Sequence, residues 1–183
     1  MQFRNARFGT VGFFNNINTQ NMKFYNREKE LQRLHDICER SYSNAQMTVV
    51  TGRRRIGKTQ LLLKATENQP TLYFFIARKA ENLLCLDFQQ EIAEKLGVTL
   101  LGETSSFAKL FEYLMKLSIE TPFNLIIDEF QEFFNVAPAV YSEMQHYWDI
   151  NKDKSRINLL LSGSVQSLMY KIFQSTKEPL FGR

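Results

Sequence analysis

One stretch of this sequence has the residue types and spacing needed to bind phosphate. Residues 52–59, Gly-Arg-Arg-Arg-Ile-Gly-Lys-Thr, match the pattern G-x-x-x-x-G-K-[ST] without a mismatch. Gly52 and Gly57 allow the backbone to curl so that successive N–H groups point at phosphate oxygens. Lys58 supplies a flexible cation for the β- and γ-phosphates, and the Thr59 hydroxyl is a suitable ligand for Mg²⁺. The pattern therefore predicts a site for the phosphate chain of a nucleotide.

Three consecutive arginines, Arg53, Arg54 and Arg55, occupy variable positions of this pattern. Their guanidinium groups are suited to attract a polyphosphate or to pair with acidic residues of a neighbouring domain. The alternative is that they are solvated surface charges that stabilise little. The stretch that we expect to contact the nucleotide comprises Gly52, Arg53, Arg54, Arg55, Ile56, Gly57, Lys58, Thr59 and Gln60.

Two adjacent carboxylates, Asp128 and Glu129, follow the apolar run at 125–127. A buried parallel strand delivers its carboxyl end to the ligand crevice of an open α/β sheet. Asp128 is then the expected partner of Mg²⁺, and Glu129 the group that orients and polarises a water for attack on the γ-phosphate. Gln131 either contacts the same water or is an exposed polar residue between two phenylalanines.

Two serines, Ser162 and Ser164, follow the last apolar strand of the chain, with Gly163 between them. If that strand lies centrally in the sheet, a hydroxyl at its end lies between the phosphate-binding stretch and the acidic pair. We expect Ser162 to contact the γ-phosphate or the attacking water. The alternative is a helix N-cap, for which Ser164 is better placed than Ser162.

The elements that must position these residues alternate along the chain. Short β-branched and apolar runs predict strands at 47–51, 71–77, 123–128 and 157–161. Apolar residues repeated every three or four positions predict helices at about 27–43, 58–68, 80–96 and 164–174, around 107–114 and after Pro138. This alternation predicts a parallel sheet covered by helices on both faces, a three-layer α/β fold. The 16 phenylalanines, Phe133 and Phe134 among them, are expected in its core rather than stacked on bases.

Composition and length restrict the class of protein. The 183 residues, 44% hydrophobic and 23% charged, suit one globular domain with a sizeable core. The net charge of +4 is spread along the chain, so nucleic acid is permitted as a partner without being indicated. Cys38, Cys85, His35 and His146 lack the spacing of a zinc site or a disulfide framework. No apolar run approaches about 18 residues, and the N-terminus is a poor signal peptide. We therefore expect no membrane partner and a reducing, cytoplasmic location.

With these segments placed, the chain resembles the prokaryotic AAA-type P-loop ATPases known as the archaeal ATPase family, which lie close to the signal-transducing STAND class. The resemblance covers about residues 22–183. It rests on Phe24-Tyr-Asn-Arg-Glu-Lys-Glu-Leu31, the phosphate-binding pattern, Tyr73-Phe-Phe, Ile126-Ile-Asp-Glu-Phe-Gln131, Leu161-Ser-Gly-Ser164 and Pro179-Leu-Phe-Gly-Arg183.

The resemblance implies a cofactor and roles for single side chains. It implies ATP with Mg²⁺, and it places Phe24 and Tyr25 near the adenine. It supports Asp128 on Mg²⁺, Glu129 as the water-activating carboxylate, Ser162 as the sensor and Arg183 as the arginine that reads the γ-phosphate. Together with Lys58 of the phosphate-binding pattern, the last three form the predicted catalytic set.

The family pattern also differs from this chain. Such ATPases have five strands in the order 5-1-4-3-2, then a helical lid, whereas four strands are predicted here. We therefore expect the last strand and the lid to be missing, as in the N-terminal part of a longer ATPase, with Arg183 as a frayed terminal residue. The open edge of strand 47–51 is expected to pair with a second copy or a partner chain. Residues 1–21 are predicted to be an extension, disordered or upstream of a true start at Met22.

These observations lead to one leading function and two alternatives. The leading hypothesis is Mg²⁺-ATP binding with ATP hydrolysis that drives a conformational switch. One alternative is a nucleotide-binding switch with negligible turnover, and the other is a truncated interaction module. Single-turnover assays separate the first two, and oligomers or aggregates would indicate the third.

Overall fold

The computed structural model of this chain describes residues 27–99, 102, 104–174 and 180. Within them, four strands form one sheet: β1 is Gln46–Thr51, β2 is Thr71–Phe75, β3 is Phe123–Asp128 and β4 is Ile157–Gly163. Their order is β1-β4-β3-β2, and every neighbouring pair is parallel. The expected parallel α/β sheet is confirmed, with the strand order 1-4-3-2 that the resemblance implies. The predictions for residues 1–21 and Met22 lie outside the described residues.

The strand register brings the carboxyl ends of the strands to one edge of the sheet. Val50 of β1 pairs with Ser162 of β4, and Ile127 of β3 pairs with Leu161 of β4. Asp128 and Ser162, one residue further along, therefore lie level with each other on adjacent strands. The segment after β1, which carries the phosphate-binding pattern, starts from the same edge.

Helices connect the strands. The longer ones are α1 (Glu28–Ser41), α2 (Lys58–Ala65), α3 (Glu81–Leu96), α4 (Phe107–Glu120), α6 (Val140–Asn151) and α7 (Gln166–Gln174), with the four-residue α5 at Phe133–Val136. Gly97 ends α3 at φ +67°, a left-handed conformation that glycine adopts without strain, as its place after the apolar repeat predicts.

Two apolar cores, one on each face of the sheet, make the fold a three-layer sandwich. Ile126 of β3 and Leu160 of β4 pack with the buried leucines of α1 and α2. Leu125 and Ile127, the neighbours of Ile126, belong to the larger core with residues from α3, α4, α6 and α7. Because successive strand residues point to opposite faces, the fully buried strands β3 and β4 supply both cores.

The structure differs from the sequence prediction after β3 and in one aromatic residue. A 3₁₀ turn at Phe130–Glu132 and α5 precede α6, which begins at Val140. Phe133 is fully buried as predicted, but the prediction was wrong for Phe134, which is 45% exposed and has the Lys171 ammonium over its ring. Adjacent positions on a helix point about 100° apart, and here that rotation leaves Phe134 exposed while Phe133 faces the core.

Both cysteines are free and buried in helices. Burial raises the pKa of Cys85 to about 12 and raises that of Cys38 above its ordinary value, so both thiols stay protonated near neutral pH. Among the residues described, no helix combines the length and apolar character required to cross a membrane.

Candidate functional site

The loop between β1 and α2 has the backbone geometry of an anion site. Gly57 adopts φ +83° directly before the first residue of α2, and Arg55 adopts φ +65°. The left-handed conformation reverses the chain direction, so that N–H groups of the loop and of the helix N-terminus face one side. The helix dipole adds a favourable field for negative charge there.

The side chain of Lys58 lies along the inside of this loop. Its Nζ donates hydrogen bonds to the carbonyl oxygens of Gly52 at 2.9 Å and Arg53 at 3.1 Å, and the residue is only 7% exposed. An ammonium group has three hydrogens, so these two bonds hold it against the loop and leave one hydrogen to direct elsewhere. The three loop arginines are exposed, and Arg27, before α1, donates to the Ile56 carbonyl oxygen at 3.0 Å.

Thr59, in the first turn of α2, joins the loop to the acidic strand end. Its Oγ1 donates to Oδ2 of Asp128 at 2.7 Å. Tyr73 of β2 donates its phenol hydrogen to the same oxygen at 2.9 Å. On the other oxygen, Oδ1, Ser162 donates at 2.7 Å and the Glu129 amide at 2.9 Å. Four donors therefore determine the rotation of the Asp128 carboxylate.

These contacts control the ionisation of Asp128. Burial alone would raise its pKa, but hydrogen bonds from Thr59, Ser162, Tyr73 and the Glu129 amide outweigh burial and lower the pKa below its ordinary value. Conversely, burial and then the Asp128 charge raise the pKa of Tyr73, which remains a neutral donor. The site therefore keeps an ionised carboxylate beside the phosphate loop.

Glu129 turns out of the strand into a separate set of contacts. Its backbone is left-handed, with φ +54° and ψ +41°, which is uncommon for a residue with a Cβ and costs about 1–3 kcal/mol. Its Oε2 accepts hydrogen bonds from Ser164 Oγ at 2.7 Å and from the amide of Gln131. Arg54 of the loop reaches the same Ser164 hydroxyl at 3.4 Å. The phosphate loop is thereby connected to both acidic residues.

Gln131 is buried beside this site, which excludes one of its two alternatives, that of an exposed polar residue. It is 1% exposed, so it is not a surface residue between phenylalanines. Its Oε1 is buried with no hydrogen-bond donor among the described residues. Such an unpaired buried group costs about 1–3 kcal/mol.

A third acidic side chain near the sheet edge, Glu132, is paired with a cation. Glu132 accepts two hydrogen bonds from the exposed guanidinium of Arg78, which follows β2, and one from Asn135. The bonds from Arg78 are the main reason that the pKa of Glu132 lies below its ordinary value.

An open cleft of about 420 Å³ lies between the loop and the acidic pair. It is lined by Arg54, Arg55, Gly57, Lys58, Thr59, Gln60, Asp128 and Glu129. The residues predicted to bind phosphate and Mg²⁺ therefore line the same cleft as Glu129, the predicted catalytic carboxylate. Ser162 is fully buried behind Asp128, and its contact with γ-phosphate stays a prediction.

The donor set of this cleft suits Mg²⁺. Because Thr59 directs its hydrogen at Asp128, the lone pairs of Oγ1 are available to a cation. Hydroxyl, carboxylate and phosphate oxygens are the ligands that Mg²⁺ prefers, and it keeps several waters. Within the described ranges, no three acidic, histidine or cysteine side chains form a dedicated metal cluster.

Two contacts of the site have no clear signal in the sequence. Tyr73 lies on a strand where an aromatic residue is ordinary, and only the sheet order brings its hydroxyl to Asp128. The sequence favours Ser164 as a helix cap, but α7 begins at Gln166, and the described bonds of the Ser164 hydroxyl join it to Glu129 and Arg54. Three further predicted site residues, Phe24, Tyr25 and Arg183, lie outside the described residues.

Comparison with known proteins gives a matching family. Residues 24–183 match the family described as an ATPase domain predominantly from Archaea. An uncharacterized protein of Methanocaldococcus jannaschii is 33% identical over 160 residues, which are 87% of this chain and 34% of that protein. The chain thus spans about a third of the curated relative that it matches.

Solved structures share the fold. A Walker-type ATPase of Pyrococcus abyssi superposes with a TM-score of 0.64 at 21% identity, over 87% of this chain and 51% of its own. Cdc6p of Pyrobaculum aerophilum superposes with a TM-score of 0.54 at 20% identity, over 84% of this chain and 43% of its own. The Aeropyrum pernix ORC2 protein, solved in ADPNP–ADP complexes, superposes with a TM-score of 0.58 at 20% identity. This superposition covers 85% of this chain and 46% of that protein.

Proposed function

The chain belongs to the family of ATPase domains found predominantly in Archaea, and from this premise we propose that it binds Mg²⁺-ATP and hydrolyses it to drive a conformational switch. One observation carries the proposal: the hydrogen bond from Thr59 to Asp128, which joins the phosphate-binding loop to the acidic end of β3. The whole protein's partners and downstream process are outside this proposal, since the chain spans 34% of its curated relative.

Phosphate binding falls to the loop and to Lys58. The loop N–H groups and the N-terminus of α2 bind the β- and γ-phosphate oxygens. Lys58 turns its ammonium from the carbonyl oxygens of Gly52 and Arg53 towards the phosphates, which offer full negative charge in exchange for two neutral acceptors. The exposed arginines Arg54 and Arg55, which line the cleft, add positive charge.

Thr59 and Asp128 are the residues that would hold Mg²⁺. When bound, the ion neutralises charge that develops on the phosphate oxygens. Thr59 offers its oxygen lone pairs, and Asp128 accepts the hydroxyl hydrogen and stays ionised. Tyr73 and Ser162 keep the carboxylate from rotating.

Glu129 is the proposed base. Ser164 and Gln131 hold its Oε2, so Oε1 is the oxygen that accepts a proton from the attacking water. The water oxygen bonds to the γ-phosphorus, the bond to the ADP oxygen breaks, and the products are ADP and phosphate. By family resemblance we further propose Phe24 and Tyr25 at the adenine and Arg183 at the γ-phosphate.

Thermal unfolding with and without Mg²⁺-ATP tests nucleotide binding. Ligand at a hundred times its dissociation constant stabilises the native state by about 2.7 kcal/mol, so the unchanged chain should show a clear rise in Tm. Lys58→Ala should abolish that rise. Lys64→Ala is the control, because Lys64 lies on the exposed side of the same helix and pairs only with Glu67 among the described contacts. No rise in the folded, unchanged chain would contradict the proposal.

Turnover is tested separately. Single-turnover hydrolysis of bound ATP distinguishes an ATPase from a nucleotide-binding switch. Release of ADP and phosphate supports the full proposal, whereas tight binding without release leaves only the switch.

A further inference from the structure

The inference concerns Gln131, and it rests on the proposed function of Glu129 as a base. We propose that Gln131 is a positioning residue, whose amide holds one carboxylate oxygen of Glu129 so that the other oxygen faces the attacking water. Ser164 shares this task on the cleft side. Gln131 acts from the interior, and it neither touches ATP nor transfers a proton.

The hydrogen bonding of Gln131 is directed at Glu129 and satisfies little else. The Nε2 group donates to Glu129 Oε2. The Oε1 of the same amide has no donor in the described part of the chain, although it is buried. A residue selected for folding alone would be apolar at a site with this little exposure. The amide is thus retained against its cost to stability, which is typical of functional sites.

The surroundings of Gln131 fix where its amide lies. A Cβ added at Gly163 would come within 2.6 Å of Gln131 Oε1 and 2.4 Å of Met169 Sδ, so the glycine leaves the space that the amide fills. On the other side, the Tyr141 hydroxyl donates a hydrogen bond to the backbone carbonyl oxygen of Gln131 at 3.3 Å. The amide therefore packs against Gly163 at the end of β4, while Tyr141 of α6 holds the Gln131 backbone.

Gly163 also connects the amide to the other residues of the site. It lies between Ser162, which holds Asp128, and Ser164, which holds Glu129. The end of β4 and the residue after it thus serve both carboxylates, and the Gln131 amide packs against the glycine between the two serines.

The test replaces Gln131 by methionine, which has a similar length and no hydrogen-bonding amide. Gln131→Met should lower kcat about 100-fold, the cost of a displacement of about 1 Å in a reacting group. The Kd of a non-hydrolysable ATP analogue and the KM should stay within about twofold, and Tm should equal or exceed that of the unchanged chain. Gln90→Met is the matched control, because Gln90 Nε2 donates to Glu94 Oε1 at 2.9 Å on the exposed face of α3. It should leave kcat unchanged.

A second variant displaces the amide without removing it. Gly163→Ala should shift the flexible ends of Gln131 and Met169 and also lower kcat, with analogue binding retained. An unchanged kcat in Gln131→Met, or a Tm loss that accounts for the lost activity, would overturn the inference and leave the proposed function intact. An unchanged chain that does not hydrolyse ATP would overturn both.

Discussion

Thr59 and Asp128, 69 positions apart in the chain, are joined by a hydrogen bond of 2.7 Å between Oγ1 and Oδ2. Thr59 lies in the first turn of α2, the helix that follows β1, and Asp128 ends β3, with β4 between the two strands. The bond therefore spans a strand of the sheet at its carboxyl edge. It places the predicted metal-binding hydroxyl and carboxylate in direct contact, which is the arrangement that phosphoryl transfer with Mg²⁺ requires.

Removal of the Thr59 hydroxyl should weaken metal binding selectively. Thr59→Val keeps the side-chain shape but offers neither a ligand for Mg²⁺ nor a donor for Asp128, so the Mg²⁺ affinity of the ATP complex should fall about 10–100-fold. Thr59→Ser retains the hydroxyl and should stay near the unchanged chain. Titration calorimetry of ATP with and without Mg²⁺ measures the difference, and equal Mg²⁺ dependence in the two variants would refute the assignment.

Glu129→Gln should separate binding from hydrolysis. The amide cannot accept the proton of the attacking water, so the single-turnover rate should fall about 10²–10⁴-fold. Because Glu129 is not a predicted phosphate ligand, ATP affinity should be retained. Rapid-quench measurement of ADP formation gives the rate, and Glu91→Gln on α3 is a control away from the site. A variant that hydrolyses ATP as fast as the unchanged chain would contradict the role of Glu129 as base.

Tyr73→Phe should destabilise the fold through Asp128. The phenol donates to a buried charged acceptor, and loss of such a bond costs about 1.5–3 kcal/mol. Tyr147→Phe removes a comparable phenol contact with the exposed Lys109 and should change the unfolding free energy by less than about 0.5 kcal/mol. Urea denaturation of both variants measures their unfolding free energies. Equal losses of unfolding free energy would mean that the hydrogen bond to Asp128 does not stabilise the fold.

Stability should decline on acidification in a way that depends on Asp128. Its pKa in the folded chain lies below the ordinary value of 3.8. The contribution of this group is therefore fully present above pH 3.8 and is lost as pH falls through the lower, folded-state pKa. Denaturation measured from pH 5 downward should show a steeper loss for the unchanged chain than for Asp128→Asn, which cannot titrate. Parallel curves of stability against pH for the unchanged chain and Asp128→Asn would contradict the role assigned to Asp128.

Much of the fold was predictable because its signals are local. The β-branched and apolar runs predicted all four strands, and the strand at 123–128 matches β3 at both ends. The glycine at 97 predicted the end of α3. These features depend on neighbours within a few positions. The short helices after β3 were not predicted, because packing of Phe130 and Phe133 against distant residues decides them.

The candidate site likewise has some features that the local sequence predicts and others that depend on distant residues. The predicted roles of Lys58 and Thr59 come from residue type and spacing within eight positions. Those of Asp128 and Glu129 come from their place directly after an apolar run. The partners of the two carboxylates do not follow from spacing.

By itself, the sequence determined the alternation of strands and helices, and it predicted the phosphate-binding loop and the acidic pair. Tertiary structure alone decided that Tyr73 bonds to Asp128 and that Ser164 serves Glu129 rather than capping a helix. It also decided that Gln131 is buried with no donor to its Oε1 among the described residues. The physical reason is that a hydrogen bond between distant residues depends on the order and register of strands. Those are set by how whole faces of the sheet are buried, and no short stretch of sequence contains that information.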